Sequence, residues 1–397
     1  MIPHKLLGSN RCPNILTHKD LVYIGILQAA PVGGKSAALA RIKDGSFSDI
    51  LANMRGVRTP FDRQTSLRPY IAANHNTFLA IPNTGFSASS SSGGSATALQ
   101  MYTTPDYGDT WELVSEVSGQ PGLAAATLKR IVYMLQVAWN EDRSKGVFYT
   151  LGQFQRSDNQ ATSGIESCIM LSLDGKNWTV TNGNYHSVTA LYNADKIAVL
   201  YTTVSGGMGA VFYSVTEDTI TNSKAASLAI PSGIPTVASH VPLGAGLLCI
   251  PTSGSGVYVA VDWEQETISL SPISVPASLT YQGGDYAGHS YSSFLRTADI
   301  NKVGVIYPSV SGGKEFLVSL ADSTISVEEK AFKTSYAIQH TNQGGAIVGG
   351  SFWQAYPNMV CLEDLSDGLY PPKCMMQKLP VPDTYDLPVY WAAMVKK

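Results

Sequence analysis

Seven times along this chain an apolar stretch runs into a short turn carrying Asp or Glu. The segments run from Leu39 to Gly45, Met101 to Asp106, Met170 to Gly175, Phe212 to Asp218, Val259 to Glu264, Leu317 to Asp322 and Val360 to Asp364. Upstream of each lies a run rich in Val, Ile, Leu and aromatics, such as Lys196 to Tyr201 or Val303 to Tyr307. Three of these runs meet Pro82, Pro251 and Pro308, and proline cannot donate to a ladder, so it marks a strand end. Gly-rich connectors follow, as in Ser205 to Gly207 and Ser311 to Lys314. Each unit therefore predicts four short antiparallel strands.

A four-stranded unit cannot bury both faces alone. Sheets arrayed around an axis cover one another and leave only short edges. Successive acids stand about 40 to 70 residues apart, the range in which such blades recur. The expectation is an all-β chain forming one β-propeller over residues 1–397. Blades are expected near 14–57, 58–122, 123–184, 185–233, 234–282, 283–333 and 334–380, with 1–13 and 381–397 as terminal closure or docking segments. Seven blades are preferred, and six is the alternative if residues 1–57 form a separate segment.

Two of the turns read almost like a signature: Thr104-Pro-Asp106-Tyr-Gly108-Asp-Thr110-Trp111 and Ser172-Leu-Asp174-Gly175-Lys-Asn177-Trp178. Asp accepts hydrogen bonds from nearby backbone N–H groups, Gly supplies positive φ, and Trp packs back over the hairpin. These residues resemble the Asp-box, or BNR, repeat of sialidase-like propellers. The second copy departs from that pattern, with one residue fewer between Asp and Trp and Asn177 in place of Thr. The resemblance implies that Asp106, Gly108, Trp111, Asp174, Gly175 and Trp178 are structural. It also implies that their turns join the third and fourth strands of a blade, on the face opposite any ligand.

Charged residues make up only 14% of the chain and the net charge is −3, so no basic stripe offers itself to a nucleic-acid backbone. The five cysteines are scattered without ligand spacing and read as small buried side chains. The N-terminal stretch lacks the pattern of a secretory signal, and no run approaches the roughly 20 apolar residues that span a bilayer, so membrane insertion is not expected. Gly33-Gly34-Lys35-Ser36 resembles the end of a phosphate-binding loop but lacks Gly at Ala29, and similar glycine clusters recur, so it reads as a turn. The histidines fall at different positions in their units, without close ligand partners, which argues against a metal ring. No metal and no cofactor is expected.

The sialidase resemblance implies a carboxylate clamp of three arginines from separate blades, since the planar guanidinium grips carboxylate bidentately. Beyond Arg156 the chain has only Arg296, and Leu67-Arg68-Pro69 is a poor analogue of the family's aromatic-Arg-Ile-Pro motif. Asp62, Asp142, Asp158, Glu166 and Asp285 stay open as carboxylates, but none is assigned a catalytic role. The candidate binding rim comprises Phe154, Arg156 and Asp158, with Asp285, Tyr286, Trp353 and Tyr356 on neighbouring connectors. Aromatics beside Asn, Gln or Asp suit stacking on sugars or anchoring a protein, and equally suit covering a blade's own edge.

Low charge, unpaired cysteines and a Ser/Thr/Gly-rich all-β chain resemble tailed-bacteriophage virion proteins. The functional expectation is a non-enzymatic structural and recognition module of a tail, fibre or adsorption apparatus. Its expected partners are other protein subunits, host-surface glycan or receptor, or further copies of the chain, and its expected place is the virion or otherwise the cytoplasm. The alternatives are a glycan-active hydrolase and an intracellular peptide-binding scaffold.

Overall fold

The computed structural model describes residues 21–28, 37–44, 46–49, 70–74, 77–83, 100–114, 128–140, 145–156, 165–203, 207–228, 237–251, 256–279, 293–296, 301–307, 314–330, 338–340, 345–348, 359–364, 373–378 and 389–396. All regular structure among them is strand. In chain order these are β1 (Leu21–Gln28), β2 (Ala37–Lys43), β3 (Ser46–Asp49), β4 (Tyr70–Ala73), β5 (Phe78–Asn83), β6 (Gln100–Thr104) and β7 (Glu112–Val114). Next come β8 (Leu128–Trp139), β9 (Gly146–Arg156), β10 (Ile165–Ser172), β11 (Thr179–Gly183), β12 (Ser187–Asn193), β13 (Lys196–Thr202), β14 (Met208–Val215) and β15 (Ile220–Leu228). They are followed by β16 (Val237–Leu243), β17 (Gly246–Pro251), β18 (Val257–Asp262), β19 (Thr267–Leu270), β20 (Ser293–Arg296), β21 (Lys302–Tyr307), β22 (Lys314–Ala321) and β23 (Thr324–Lys330). The last are β24 (Ile338–His340), β25 (Gly345–Val348), β26 (Met359–Asp364), β27 (Lys373–Lys378) and β28 (Val389–Lys396).

These strands form seven four-stranded antiparallel sheets, six of them built from consecutive strands. The first sheet has the order β28-β1-β2-β3, so the C-terminal strand supplies its innermost member, pairing Val22 with Val395 and Ile24 with Ala393. The innermost strands β28, β4, β8, β12 and β16 adjoin in that order, β20 adjoins β24, and β25 lies against β28. The fifth and sixth sheets share one apolar cluster, which joins Leu248 and Tyr258 to Val303 and Phe316. The ring closes, and the chain is a β-propeller.

Why the apolar runs are continuous rather than alternating follows from this arrangement. Successive side chains of a strand point to opposite faces, and here both faces are covered. On β13, Ile197 and Val199 enter the cluster shared with the third sheet, whereas Ala198 and Leu200 enter the cluster shared with the fifth. On β14, Val211 and Tyr213 go one way and Ala210 and Phe212 the other. Cys168 and Met170 of β10 likewise face the second sheet, while Ile169 and Leu171 face the fourth. Burying a large aliphatic or aromatic side chain contributes about 1.5–3 kcal/mol, so each shared face is a substantial part of what holds neighbouring sheets together. Among the described residues no helix is long and apolar enough to cross a membrane.

Candidate functional site

Because the strands of each sheet alternate in direction, the ring has two chemically different ends. One collects the turns between first and second strands and between third and fourth strands. The other collects the remaining connections.

At the first end the turn between β6 and β7 is built on Asp106. Its Oδ1 accepts from the Thr110 N–H at 2.9 Å and from the Thr104 hydroxyl at 2.8 Å, and its Oδ2 accepts from the Thr110 hydroxyl at 2.6 Å. Thr104 Oγ1 in turn accepts from the Gly108 N–H at 2.7 Å. Tyr107 and Gly108 both take positive φ, 61° and 88°. Burial would raise the Asp106 carboxyl, but the bonds from Thr110 and Thr104 outweigh it and hold it below the ordinary value.

The turn between β10 and β11 repeats the scheme. Asp174 Oδ1 accepts from the N–H groups of Lys176 and Asn177, both at 2.8 Å, and Oδ2 accepts from the Asn177 amide at 2.8 Å. Its carboxyl is also lowered, burial being outweighed first by the bond from Asn177 N–H and then by that from Lys176 N–H. Trp178 is buried and donates Nε1–H to the Gly175 carbonyl at 3.1 Å. Gly175, at φ 74°, lies so close to the second sheet that a Cβ there would meet Thr103 Cγ2 at 2.9 Å. Asp262 reproduces part of the pattern, accepting from the N–H groups of Glu264 at 3.0 Å and Gln265 at 2.8 Å.

This end also ties adjacent sheets together. Arg41 and Lys43 of β2 both reach Asp109 in the turn of the second sheet, Arg41 at 2.7 Å. Asn74, after β4, donates Nδ2–H to the carbonyls of Leu173 at 2.7 Å and Gly146 at 3.1 Å in the third sheet. The Thr179 hydroxyl donates to the Ile220 carbonyl at 2.7 Å, joining the third sheet to the fourth. Lys196 meets Glu266 at 2.8 Å and the Trp263 carbonyl at 3.0 Å, joining the fourth to the fifth. Bonds from Lys43 and then Arg41 lower the Asp109 carboxyl, and the bond from Lys196 lowers that of Glu266.

At the opposite end the longest connections span residues 50–69, 84–99, 115–127 and 271–292, although 184–186 is short, whereas the turn-end connections run from two residues, as at 194–195, 244–245 and 322–323, to eight at 365–372. By chain continuity 50–69, 115–127 and 271–292 each lead onto an innermost strand, β4, β8 and β20. Tyr185 packs edge-on to Tyr201 at 4.7 Å between ring centroids, and burial pushes its phenol up to about 12, so it stays protonated.

Of the rim residues expected from sequence, Phe154 and Arg156 lie at this end of β9, which the register pairs with the start of β8. Asp158, Asp285, Tyr286, Trp353 and Tyr356 lie outside the described residues, as does the glycine cluster at 33–36. The register sets Lys129 and Arg130 of β8 on the strand beside Phe154 and Arg156. The two segments are distant in sequence, and only the pairing across the turn at residues 140–145 brings them together. Sequence reasoning missed Asn74, whose role depends on carbonyls 72 and 99 residues downstream.

No family model matches the chain, and no curated protein matches it. Solved structures with a similar fold include a candidate 6-phosphogluconolactonase from Bacteroides uniformis, 8% identical, covering 95% of this chain and 100% of that one, with a TM-score of 0.48. The periplasmic gluconolactonase of Pseudomonas aeruginosa is 10% identical over 90% of this chain and 100% of that one, with a TM-score of 0.42. Apo AztD from Citrobacter koseri is 10% identical over 94% and 97%, also at 0.42. Likenesses at these identities carry no activity to this chain. They do correct the expectation of a non-enzymatic tailed-phage virion component, because the activities named among these structures are those of lactone-hydrolysing enzymes and none is a phage structural protein. The physical reason for the misreading is that low charge and abundant Ser, Thr and Gly are what any ring of many short, doubly covered strands requires. That composition follows from the architecture and is silent on assembly.

Proposed function

We propose that this propeller binds a small soluble molecule at the end of its ring where the connections 50–69, 115–127 and 271–292 emerge. The turn end, with its Asp106 and Asp174 turns read as Asp-box turns, then serves to hold the sheets in place. The observation that carries this reading is the contrast between the ends. At the turn end Asp106, Asp109, Asp174 and Glu266 all have their oxygens engaged within the protein and their carboxyls displaced downward. Groups so committed are poorly placed to meet a ligand or to move a proton at neutral pH. At the other end the long sequence segments 50–69, 115–127 and 271–292 lead onto innermost strands, and mouths of closed β-structures are a setting in which small ligands are held.

The test is a thermal-shift survey of sugar acids, sugar lactones and sugar phosphates, followed by hydrogen exchange with whichever compound stabilises the protein. Protection should appear in 50–69, 115–127 and 271–292. Protection confined to 104–111 and 172–178 would overturn the reading. The same compounds can be followed for hydrolysis by proton release, since lactone hydrolysis is the activity named for two of the similar structures.

A further inference from the structure

We infer that Asn184 and His186 form a hydrogen-bonding subsite at the end of the ring opposite the turns, and that the ligand they meet is a hydroxyl-rich molecule of sugar type recognised without charge. This rests on the proposal that the ligand binds at that end, and it names the ligand's chemistry and two of its contacts.

The connection 184–186 leads from β11, the outermost strand of the third sheet, onto β12, the innermost of the fourth. It crosses inward by fixed steps. The Ser167 hydroxyl donates to the Gly183 carbonyl at 2.7 Å and accepts from the Tyr185 N–H at 2.6 Å, which ties the connection to β10. The His186 N–H donates to the Thr202 carbonyl at 2.7 Å, which ties it to β13. Between these bonds the Tyr185 side chain enters the apolar cluster shared by the two sheets, and its hydroxyl donates to the Asn182 carbonyl at 3.3 Å. Its ring lies so close over Gly183 that a Cβ there would meet it at 2.3 Å.

Tyr185 is buried, whereas the residues on either side of it, Asn184 and His186, are exposed. Neither of these two side chains hydrogen-bonds to another of the described residues. The turn end treats its amides differently, since Asn74 and Asn177 spend theirs on Leu173, Gly146 and Asp174. An amide offers donor and acceptor atoms, and a neutral imidazole offers one of each. Hydroxyl groups also donate and accept, so they complement both. The surroundings favour a neutral partner, because residues 182–193 and 197–215 contain no Lys, Arg, Asp or Glu. A backbone held at Ser167, Thr202 and Gly183 presents the two side chains already ordered, which lowers the cost of binding.

The experiment titrates D-glucose, D-gluconate and inorganic phosphate into the full-length protein at constant pH, following the histidine imidazole resonances by NMR. The chain has seven histidines, and the His186 signal is assigned by its loss in His186→Ala. The proposal expects glucose and gluconate to move that signal and phosphate to leave it in place. It expects His186→Ala and Asn184→Ala each to weaken glucose binding by about threefold to tenfold, as loss of one neutral hydrogen bond would. Lys176→Gln at the turn end should bind as the parent does, and unfolding temperature is measured for each variant so that only folded protein is scored. If glucose protects 50–69, 115–127 and 271–292 from hydrogen exchange while the His186 signal and both alanine variants are indifferent to it, the subsite is overturned and the proposed function stands. Binding of phosphate or gluconate without glucose would overturn the ligand class, as would absence of glucose binding at tens of millimolar. Protection confined to 104–111 and 172–178 would overturn both readings.

Discussion

The two ends of this ring place their charged residues differently. At the turn end the carboxylates of Asp106 and Asp174 satisfy the backbone of their own turns, and Asp109 and Glu266 bind cations of the adjoining sheet. At the other end Lys129, Arg130 and Arg156 share three register rows with one carboxylate, Glu166. A ring of sheets held by apolar clusters between neighbours needs polar fastening at only one end to fix how those neighbours meet. The other end is then free to vary in length and chemistry, as connections carried on a rigid scaffold generally are.

If the turn end is where neighbouring sheets are fastened, the largest single effect there belongs to Asn74. Its Nδ2–H satisfies the carbonyls of Leu173 and Gly146 in the third sheet, and its Oδ1 accepts from the Thr77 N–H at 3.1 Å within its own turn. Asn74 is buried, so Asn74→Ala leaves buried polar atoms without those bonds, at about 1–3 kcal/mol for each unsatisfied group. A total loss of about 2–4 kcal/mol is expected in urea unfolding. A loss below about 0.5 kcal/mol, the range of ordinary surface changes, would break the comparison by showing that apolar packing alone sets the sheet-to-sheet geometry.

A smaller effect concerns acid. Asp106, Asp109, Asp174 and Glu266 have folded carboxyls held below their ordinary values of 3.8 and 4.5. A depressed folded value means the unfolded chain takes up protons first. The stabilisation is therefore fully present above the ordinary values and is lost as pH falls through them toward the folded ones. Unfolding temperature should decline from about pH 5 downward, and the decline should be shallower in Asp174→Asn, which cannot titrate there. An equally steep decline in that variant would show that the acid sensitivity lies elsewhere in the molecule.

Much of the architecture was legible because doubly covered sheets impose a simple rule on sequence. Runs such as Ile197 to Leu200 and Ala210 to Tyr213 are apolar at every position, since one face meets one neighbour and the next residue meets the other. The acid at each turn was legible too, although it does more than one job. Asp106 and Asp174 organise their turns by side-chain hydrogen bonds, whereas Asp322, followed by Ser323, sits in a tight reversal with φ of 48° and 60°. There the acid serves because Asp tolerates the left-handed region. What sequence could not show were relations across sheets and strands, namely the reach of Asn74 and the pairing of Arg130 with Phe154, whereas 381–397 already read as a terminal closure or docking segment and β28 does pair with the first sheet. Each depends on register between segments far apart in the chain. The functional expectation failed for a different reason, in that it treated composition demanded by strands and turns as a mark of a particular assembly.

The smallest expected effect sharpens what kind of fastening the turn end provides. Lys176 pairs with Glu112 across the second and third sheets, and the two side chains are 47% and 56% exposed. Water and salt screen such a pair, and holding two long side chains in one geometry costs entropy, so exposed pairs are worth about 0–1 kcal/mol. The Arg41–Asp109 pair differs, because Arg41 is only 15% exposed and its guanidinium lies also within 3.4 Å of the Tyr107 carbonyl. Lys176→Gln should therefore shift stability by less than about 0.5 kcal/mol, and the shift should vanish at high salt. A loss comparable to that of Asn74→Ala, persisting in salt, would mean that ion pairs rather than bonds to backbone carbonyls fasten the sheets. The acid sensitivity would then follow the Lys and Arg partners of Asp109 and Glu266 more closely than the turns at Asp106 and Asp174.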